Sequence, residues 1–303
     1  MKYIKLFENF EGDDKQKELA DELAAYFGVN LDTFAETSKI MAMSPEGIQR
    51  WFNAEIDKEE PNMPVIEELE RLGYEFDLPK DKDLHYAAEH NKVGLAKLLL
   101  DRGAKIDVRD GDEQTPLHWA VMNNSRAVAE LLLDRGAKID ARDGDQWTPL
   151  HFAARNDSLS VAELLLDRGA EIDARDEDKE TPLHFAARHN SRAVAELLLD
   201  RGAEIEARDK WQQTPLHLAA YNNSRAVAEL LLDRGAKINA RDWNKLTPLN
   251  QAIWRDSQAV VELLLDRGAK IDARNGDKKT PWNLAGEEIQ KALPQLNPNY
   301  TDS

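Results

Sequence analysis

"TPLHFAARHNSRAVAELLLDRGAEIEARD", residues 181–209, is one copy of a phrase that the chain repeats. TPLH starts at Thr115, Thr148, Thr181 and Thr214, 33 residues apart, and becomes TPLN at Thr247 and TPWN at Thr280. LLLDRGA recurs unchanged at the same interval, six times between Leu98 and Ala269. A period of this length marks a stack of small structural units, which grows by addition and needs no single central core.

Within one unit the letters spell two helices. Thr181 suits an N-cap and Pro182 the first helical position, where a missing N–H is no loss. Leu183, Ala186 and Ala187 follow at helical spacing, and the small alanines let this short inner helix lie close to its neighbours. Asn190 ends it, because asparagine tolerates left-handed backbone. Ser191 is placed to cap a second helix, whose Val194, Leu197 and Leu198 form an apolar stripe. Gly202 stops that helix, and AEIEARD runs on as a hairpin-like loop. Neither helix can bury its apolar side within one unit, so the constant letters are the contacts between copies.

The period, the T-P-L-H-x-A-A signature and the later L-L-L-x-x-G-A resemble those of ankyrin-repeat proteins, from residue 82 to about 293. The resemblance implies a fold dominated by α-helix: helix pairs stacked in a curved solenoid with short β-hairpin fingers, preceded here by a small helical bundle. It also implies that the signature histidine (His85, His118, His151, His184, His217) bonds the threonine of its own unit and the backbone of the next. Asn250 and Asn283 can supply similar bonds where histidine is lost. Two departures from the family pattern stand out. Glu113, Gln146, Lys179, Gln212, Lys245 and Lys278 replace the usual glycine of the finger turn, and Asn91, Asn124, Asp157, Asn190, Asn223 and Asp256 replace the one that ends the inner helix.

The expected organisation is an acidic helical module over 1–61, a half-repeat cap over 62–81, six full repeats and a shortened C-terminal cap over 82–293, and a tail over 294–303. The half-repeat is read from "VIEELERLGYEFD", starting at Val65, in which Gly73 takes the place of Gly136. In the module, residues 15–28 have helical periodicity with Gly28 as a stop, and another helix opens at Leu31 or Asp32 and runs to about Met41. "SPEGIQRWFNAE" (44–55) has Ser44 as cap, Pro45 at the first position and Glu46 in the first turn. Residues 38–55 also resemble the turn and recognition helix of a helix-turn-helix protein, which would aim Gln49 and Arg50 at the major groove and make the chain a DNA-binding regulator. Ile4, Phe7 and Phe10 could lie along a groove on this bundle, and the opening resembles leader segments of some tailed-phage proteins, which points to a phage or bacterial origin.

Charge disfavours that DNA alternative. The net charge is −17, and residues 1–80 carry 19 acidic against 9 basic side chains. Both parts should repel phosphate, so no nucleic-acid partner is expected. The chain has no cysteine, which excludes disulfides and thiolate metal sites. No apolar run reaches membrane-span length, and the short apolar opening is broken by Glu8 and Asn9, so a soluble cytoplasmic protein is expected. The signature histidines have no recurring ligand or acid–base partners, and there is no phosphate loop, G-x-S-x-G elbow or H-E-x-x-H. No catalytic residue, metal or cofactor is expected, and the chain does not read as an enzyme. The Asp-Arg pairs and ARD triplets read as solvated faces and loop ion pairs, each worth about 0–1 kcal/mol.

What varies between copies is confined to two places, the fingertip before each threonine and the end of the inner helix. The tips carry Trp147, Trp211 and Trp243; the helix ends carry Met122, Arg155, Arg188, His189, Tyr221, Trp254 and Arg255. The resemblance puts both sets on the concave side of the solenoid. Trp, Tyr and Arg dominate binding hot spots, and several bulky rings on one face make a patch that soluble proteins seldom leave uncovered. Trp119, Phe152, Phe185 and Leu218, beside the signature histidines, read as core. The expected function is recognition of another protein, to sequester it, inhibit it or act as a scaffold, by a chain that is a monomer or weak oligomer.

Overall fold

The computed structural model describes residues 31–58, 61–79 and 82–292. The expected helix over 15–28, the apolar opening and the tail over 294–303 lie outside them. The described residues divide into two compact units, one ending at Lys105 and the other beginning at Ile106.

The first unit holds α1 (Leu31–Met41), α2 (Pro45–Glu55), α3 (Met63–Arg71), α4 (Leu84–Glu89) and α5 (Val93–Asp101). Ser44 caps α2 by accepting the Gly47 N–H at 3.1 Å, with Pro45 in the first turn. The helix buries Ile48 and Phe52, and Phe52 stacks on Phe76 with ring centroids 4.3 Å apart. α3 ends as the repeated helices do. Gly73 donates to Glu70 O and Tyr74 to Leu69 O, as Gly103 does to Leu100 O and Ala104 to Leu99 O. Gly73 takes a φ of +91°, where a Cβ would clash with the backbone, so glycine is required. Gln49 is tied to its own chain: Nε2 donates to Asp77 O at 2.9 Å and Oε1 accepts the Asp77 N–H at 3.1 Å. A DNA reader would need that side chain free.

The second unit repeats one helix pair. Inner helices α6 (Pro116–Met122), α8 (Pro149–Asn156), α10 (Pro182–His189), α12 (Pro215–Tyr221) and α14 (Pro248–Trp254) alternate with outer helices α7 (Arg126–Asp134), α9 (Leu159–Asp167), α11 (Arg192–Asp200), α13 (Arg225–Asp233) and α15 (Gln258–Asp266). The short α16 (Pro281–Leu284) and α17 (Glu287–Ala292) close the array. Inner helices pack on inner and outer on outer, making two layers. Leu183, Ala186, Val194 and Leu198 of one pair are fully buried, as the fixed letters require. The inner helices stop at left-handed residues: Asn124, Asp157, Asn190, Asn223 and Asp256 have φ between +52° and +57°.

Two local expectations change. Ser191 stands at the N-cap of α11 but makes no side-chain cap bond; its hydroxyl donates to Arg155 O of the preceding unit at 3.3 Å. The fingers, expected as β-hairpins, form no strand among the described residues. A side-chain oxygen organises each one instead, from the half-buried Asp110 in the first finger, from a buried aspartate in the next four and from Asn275 in the sixth. Asp176 N donates to Glu180 O, Lys179 N donates to Asp176 O, and Asp176 Oδ1 accepts the N–H groups of Asp178 and Glu180 at 2.9 and 2.8 Å. The carboxylate satisfies donors that a strand partner would have taken, so a four-residue turn closes without a ladder.

Candidate functional site: the finger and inner-helix face

The array holds its fingers in line with bonds that run from unit to unit. His184 Nδ1 accepts the Thr181 N–H at 3.1 Å, so it carries a lone pair and the proton sits on Nε2, which donates to Gln213 O of the next finger at 3.3 Å. His118, His151 and His217 repeat this with Trp147 O, Glu180 O and Leu246 O. Burial pushes these imidazoles down to about 4, and His184 to about 3, so they are neutral at physiological pH. The fingertips also touch directly: Lys210 N donates to Asp178 O at 2.8 Å, Trp243 N to Trp211 O at 3.0 Å and Gly276 N to Asn244 O at 2.7 Å. The ARD arginines, expected as solvated, are cross-braces. Arg142 donates to Arg175 O, Arg175 to Arg208 O and Arg208 to Arg241 O, at 2.6–2.8 Å. The Asp-Arg pairs of the outer helices also bridge units, as in Arg234 to Asp200 and Arg267 to Asp233.

On this frame lies a groove of about 590 Å³ between the fourth and fifth fingers (residues 210–213 and 243–246) and the inner helices beneath them. Trp211, Trp243, Tyr221 and Trp254 form its walls, and Leu218, Leu246, Asp242 and Gln251 also line it. Trp243 and Trp254 are the most exposed large apolar side chains among the described residues, at 65% and 62%. Trp254 meets Tyr221 edge to face with centroids 5.9 Å apart, and Arg255 lies over the other ring at 4.4 Å. Lys210 covers the Trp211 ring at 4.3 Å. Gln251 Nε2 donates to Asp242 Oδ2 at 3.2 Å, while its buried Oε1 has no partner. Arg188, at the near end, pairs with the buried Glu180. Burial pushes the Glu180 carboxyl up to about 7 and the Asp209 carboxyl up to about 6, against the pull of Arg188.

The family model described as ankyrin repeats (3 copies) matches four overlapping stretches, residues 65–143, 84–176, 140–209 and 183–275. The chain belongs to the ankyrin repeat family. It is similar to the human ASB11 ankyrin repeat domain, with 28% identity and a TM-score of 0.65 over 72% of this chain and 99% of that one. It is also similar to the ankyrin repeat domain of Bcl-3, described as a unique member of the IkappaB protein family, with 31% identity and a TM-score of 0.61 over 72% of this chain and all of that one. No curated protein matches the chain. Ankyrin repeats are in general protein–protein interaction modules.

Of the residues marked out in the sequence, the ankyrin array brings Arg188, Trp211, Tyr221, Trp243 and Trp254 to one groove, with Arg255 on its Tyr221 wall. Trp147 stands apart. It is half-buried, edge to face with Phe152 and Phe185 at 5.3 and 4.7 Å, with Arg155 over it at 5.7 Å. Met122 is half-buried and its carbonyl accepts from Asn156, while His189 is exposed. Of the four side chains read as core, Phe152, Phe185 and Leu218 are buried; Trp119 is half-buried and donates its indole N–H to Asp110 Oδ2 at 2.7 Å. Sequence reasoning missed Asp242 and Gln251. The available signal was that Gln251 is the polar member of a series otherwise filled by Trp119, Phe152, Phe185 and Leu218. Among the described residues no group of His, Asp or Glu could hold a metal ion, and no helix is long and apolar enough to cross a membrane.

Proposed function

We propose that this chain is a non-enzymatic binding protein that recognises a partner protein through the groove between its fourth and fifth fingers, and thereby sequesters the partner, inhibits it or joins it to a second one. The observation that carries this is the adjacency of two open indoles, Trp243 and Trp254, on a wall already stiffened by unit-to-unit bonds. A pocket of this volume accepts a bulky side chain with its backbone, and a rigid wall has little ordering entropy to lose when it is filled. Buried aromatic anchors are each worth about 2 kcal/mol or more at such surfaces. Family membership supports protein binding as the class of function. A cytoplasmic setting and a monomeric or weakly associating state belong to the same proposal.

The test is capture from a lysate by the wild type and by Trp243→Ala/Trp254→Ala, both checked by circular dichroism. Partners held by the wild type should fall at least tenfold with the variant. Retention of every partner by a folded double variant would move the binding surface elsewhere.

A further inference from the structure

A charge gradient runs along the fingers. Tips one to three (residues 111–114, 144–147 and 177–180) expose Asp112, Glu113, Asp145 and Glu177 against Lys179. Tips four to six (residues 210–213, 243–246 and 276–279) expose Lys210, Lys245, Lys278 and Lys279 against Asp277. Lys210 is paired with Asp178. Lys245, Lys278, Lys279 and Arg255 are exposed and make no ion pair among the described residues. On a chain of net charge −17, these unpaired cations gather beside the two open indoles. Their spacing is fixed as well. Trp243 N to Trp211 O and Gly276 N to Asn244 O lock tips four, five and six side by side, and a Cβ on Gly276 would lie 3.1 Å from Asn244 O.

We infer that the groove takes an extended acidic segment of a partner protein, with one bulky apolar side chain entering between Trp243 and Trp254 and flanking Asp or Glu residues running toward the sixth finger. This rests on the proposed binding function and specifies its ligand. Charge complementarity selects the acidic flank and sets its direction, because the opposite direction would carry it onto the acidic tips. Exposed lysines act mainly on encounter and register, and the indoles supply the hold. A single-stranded nucleic acid would also combine stacking with negative charge, but its phosphates continue past the groove. Affinity for such a chain needs a long basic track, and here the track ends at Asp178 and Asp145 within two fingers.

The experiment is selection of a displayed random dodecamer library on the wild type, with counter-selection on Trp243→Ala/Trp254→Ala. Recovered peptides are then measured by fluorescence anisotropy at low and high salt, beside a labelled dodecathymidylate. Peptides with Asp or Glu flanking a Trp, Phe or Leu should be enriched. Lys245→Glu/Lys278→Glu/Lys279→Glu should weaken them at least tenfold, high salt should weaken them too, and Asp112→Lys/Asp145→Lys should leave them within twofold. Enrichment of neutral or basic peptides that still need the indoles would overturn the ligand assignment and leave the binding groove standing. Recovered peptides that bind the double-indole variant equally well, or no enrichment at all, would remove both. Tighter binding of dodecathymidylate than of any peptide would overturn the protein ligand in favour of nucleic acid.

Discussion

The left-handed residues divide into two chemistries. Asp157 and Asn190 use their position: Asp157 Oδ1 accepts the Val194 N–H at 3.0 Å and Asn190 Oδ1 the Val227 N–H at 3.3 Å, each in the next unit. A glycine at either place would keep the turn and lose the bond. Gln146 and Lys179, at φ +65° and +60°, stand in exposed fingertips. A side chain in that region costs about 1–2 kcal/mol, and glycine gives back part of the gain through unfolded-chain entropy. We therefore expect Gln146→Gly and Lys179→Gly each to stabilise the protein by about 0.5–1 kcal/mol, read as a higher urea midpoint with an unchanged slope. Asn190→Gly should do the reverse. If Lys179→Gly lowers the midpoint, the fingertip strain assigned here is absent.

The helices were legible element by element, because each carries its own start and stop: Thr181 and Pro182 before α10, Gly202 after α11. Of the bonds between units only the histidine bond was expected, through the family resemblance. The others were not, because they join residues 31 to 38 positions apart, as from Ser191 to Arg155 O or from Arg142 to Arg175 O, and no local window contains both ends. The groove was legible in part. Trp147 and Trp243 both lie in fingertips, but Trp147 is the last residue before its threonine, a place flanked by the inner-helix rings Phe152 and Phe185, whereas Trp243 is the first residue of its tip and stays open. Position within the tip, counted back from threonine, carried the distinction. The same view exposes a weak joint. Asn250 accepts the Thr247 N–H at 2.9 Å as histidine would, but its buried Nδ2 has no partner, since an amide is shorter than an imidazole and the bond to the next finger is lost. A buried donor without a partner costs about 1–3 kcal/mol. Asn250→His should therefore stabilise the C-terminal end by about 1 kcal/mol and slow amide exchange in α14 and α16; a variant that loosens these helices instead would show that the fifth unit has no room for the ring.

At the scale of the array, the histidine ladder makes stability a function of pH. His118, His151, His184 and His217 have folded pKa values of about 4, 4, 3 and 4, against an unperturbed value of 6.5. Between those limits the unfolded chain binds these protons and the folded chain does not, so stability is lost progressively as pH falls from 6.5 toward 4. Protonation at Nδ1 also removes the acceptor that holds Thr115, Thr148, Thr181 and Thr214, so four inner-helix caps weaken together. Five carboxyls act in the opposite sense, because burial pushes up Asp143, Asp176 and Asp242 as well as Glu180 and Asp209, the last two furthest. Glu180, raised to about 7, and Asp209, raised to about 6, keep protons that the unfolded chain releases near pH 4, so their contribution is full in acid and lost progressively as pH rises from about 4 to their folded pKa values. The four imidazoles against Glu180 and Asp209, the two carboxyls shifted furthest, leave a net uptake of roughly two protons on unfolding between about pH 4.5 and 6. The urea midpoint should therefore fall as pH drops from about 7 toward 4.5, most steeply between about 6 and 4.5, and stay level above about pH 7.5. Replacing Glu180 by Gln, the residue found at the equivalent positions 114 and 213, removes one of the groups that oppose the histidines, so the midpoint should fall more steeply with acid between about pH 7 and 5. A midpoint that stays level from pH 6.5 to 4.5 would mean that the buried imidazoles do not link the units in the way the bonds describe.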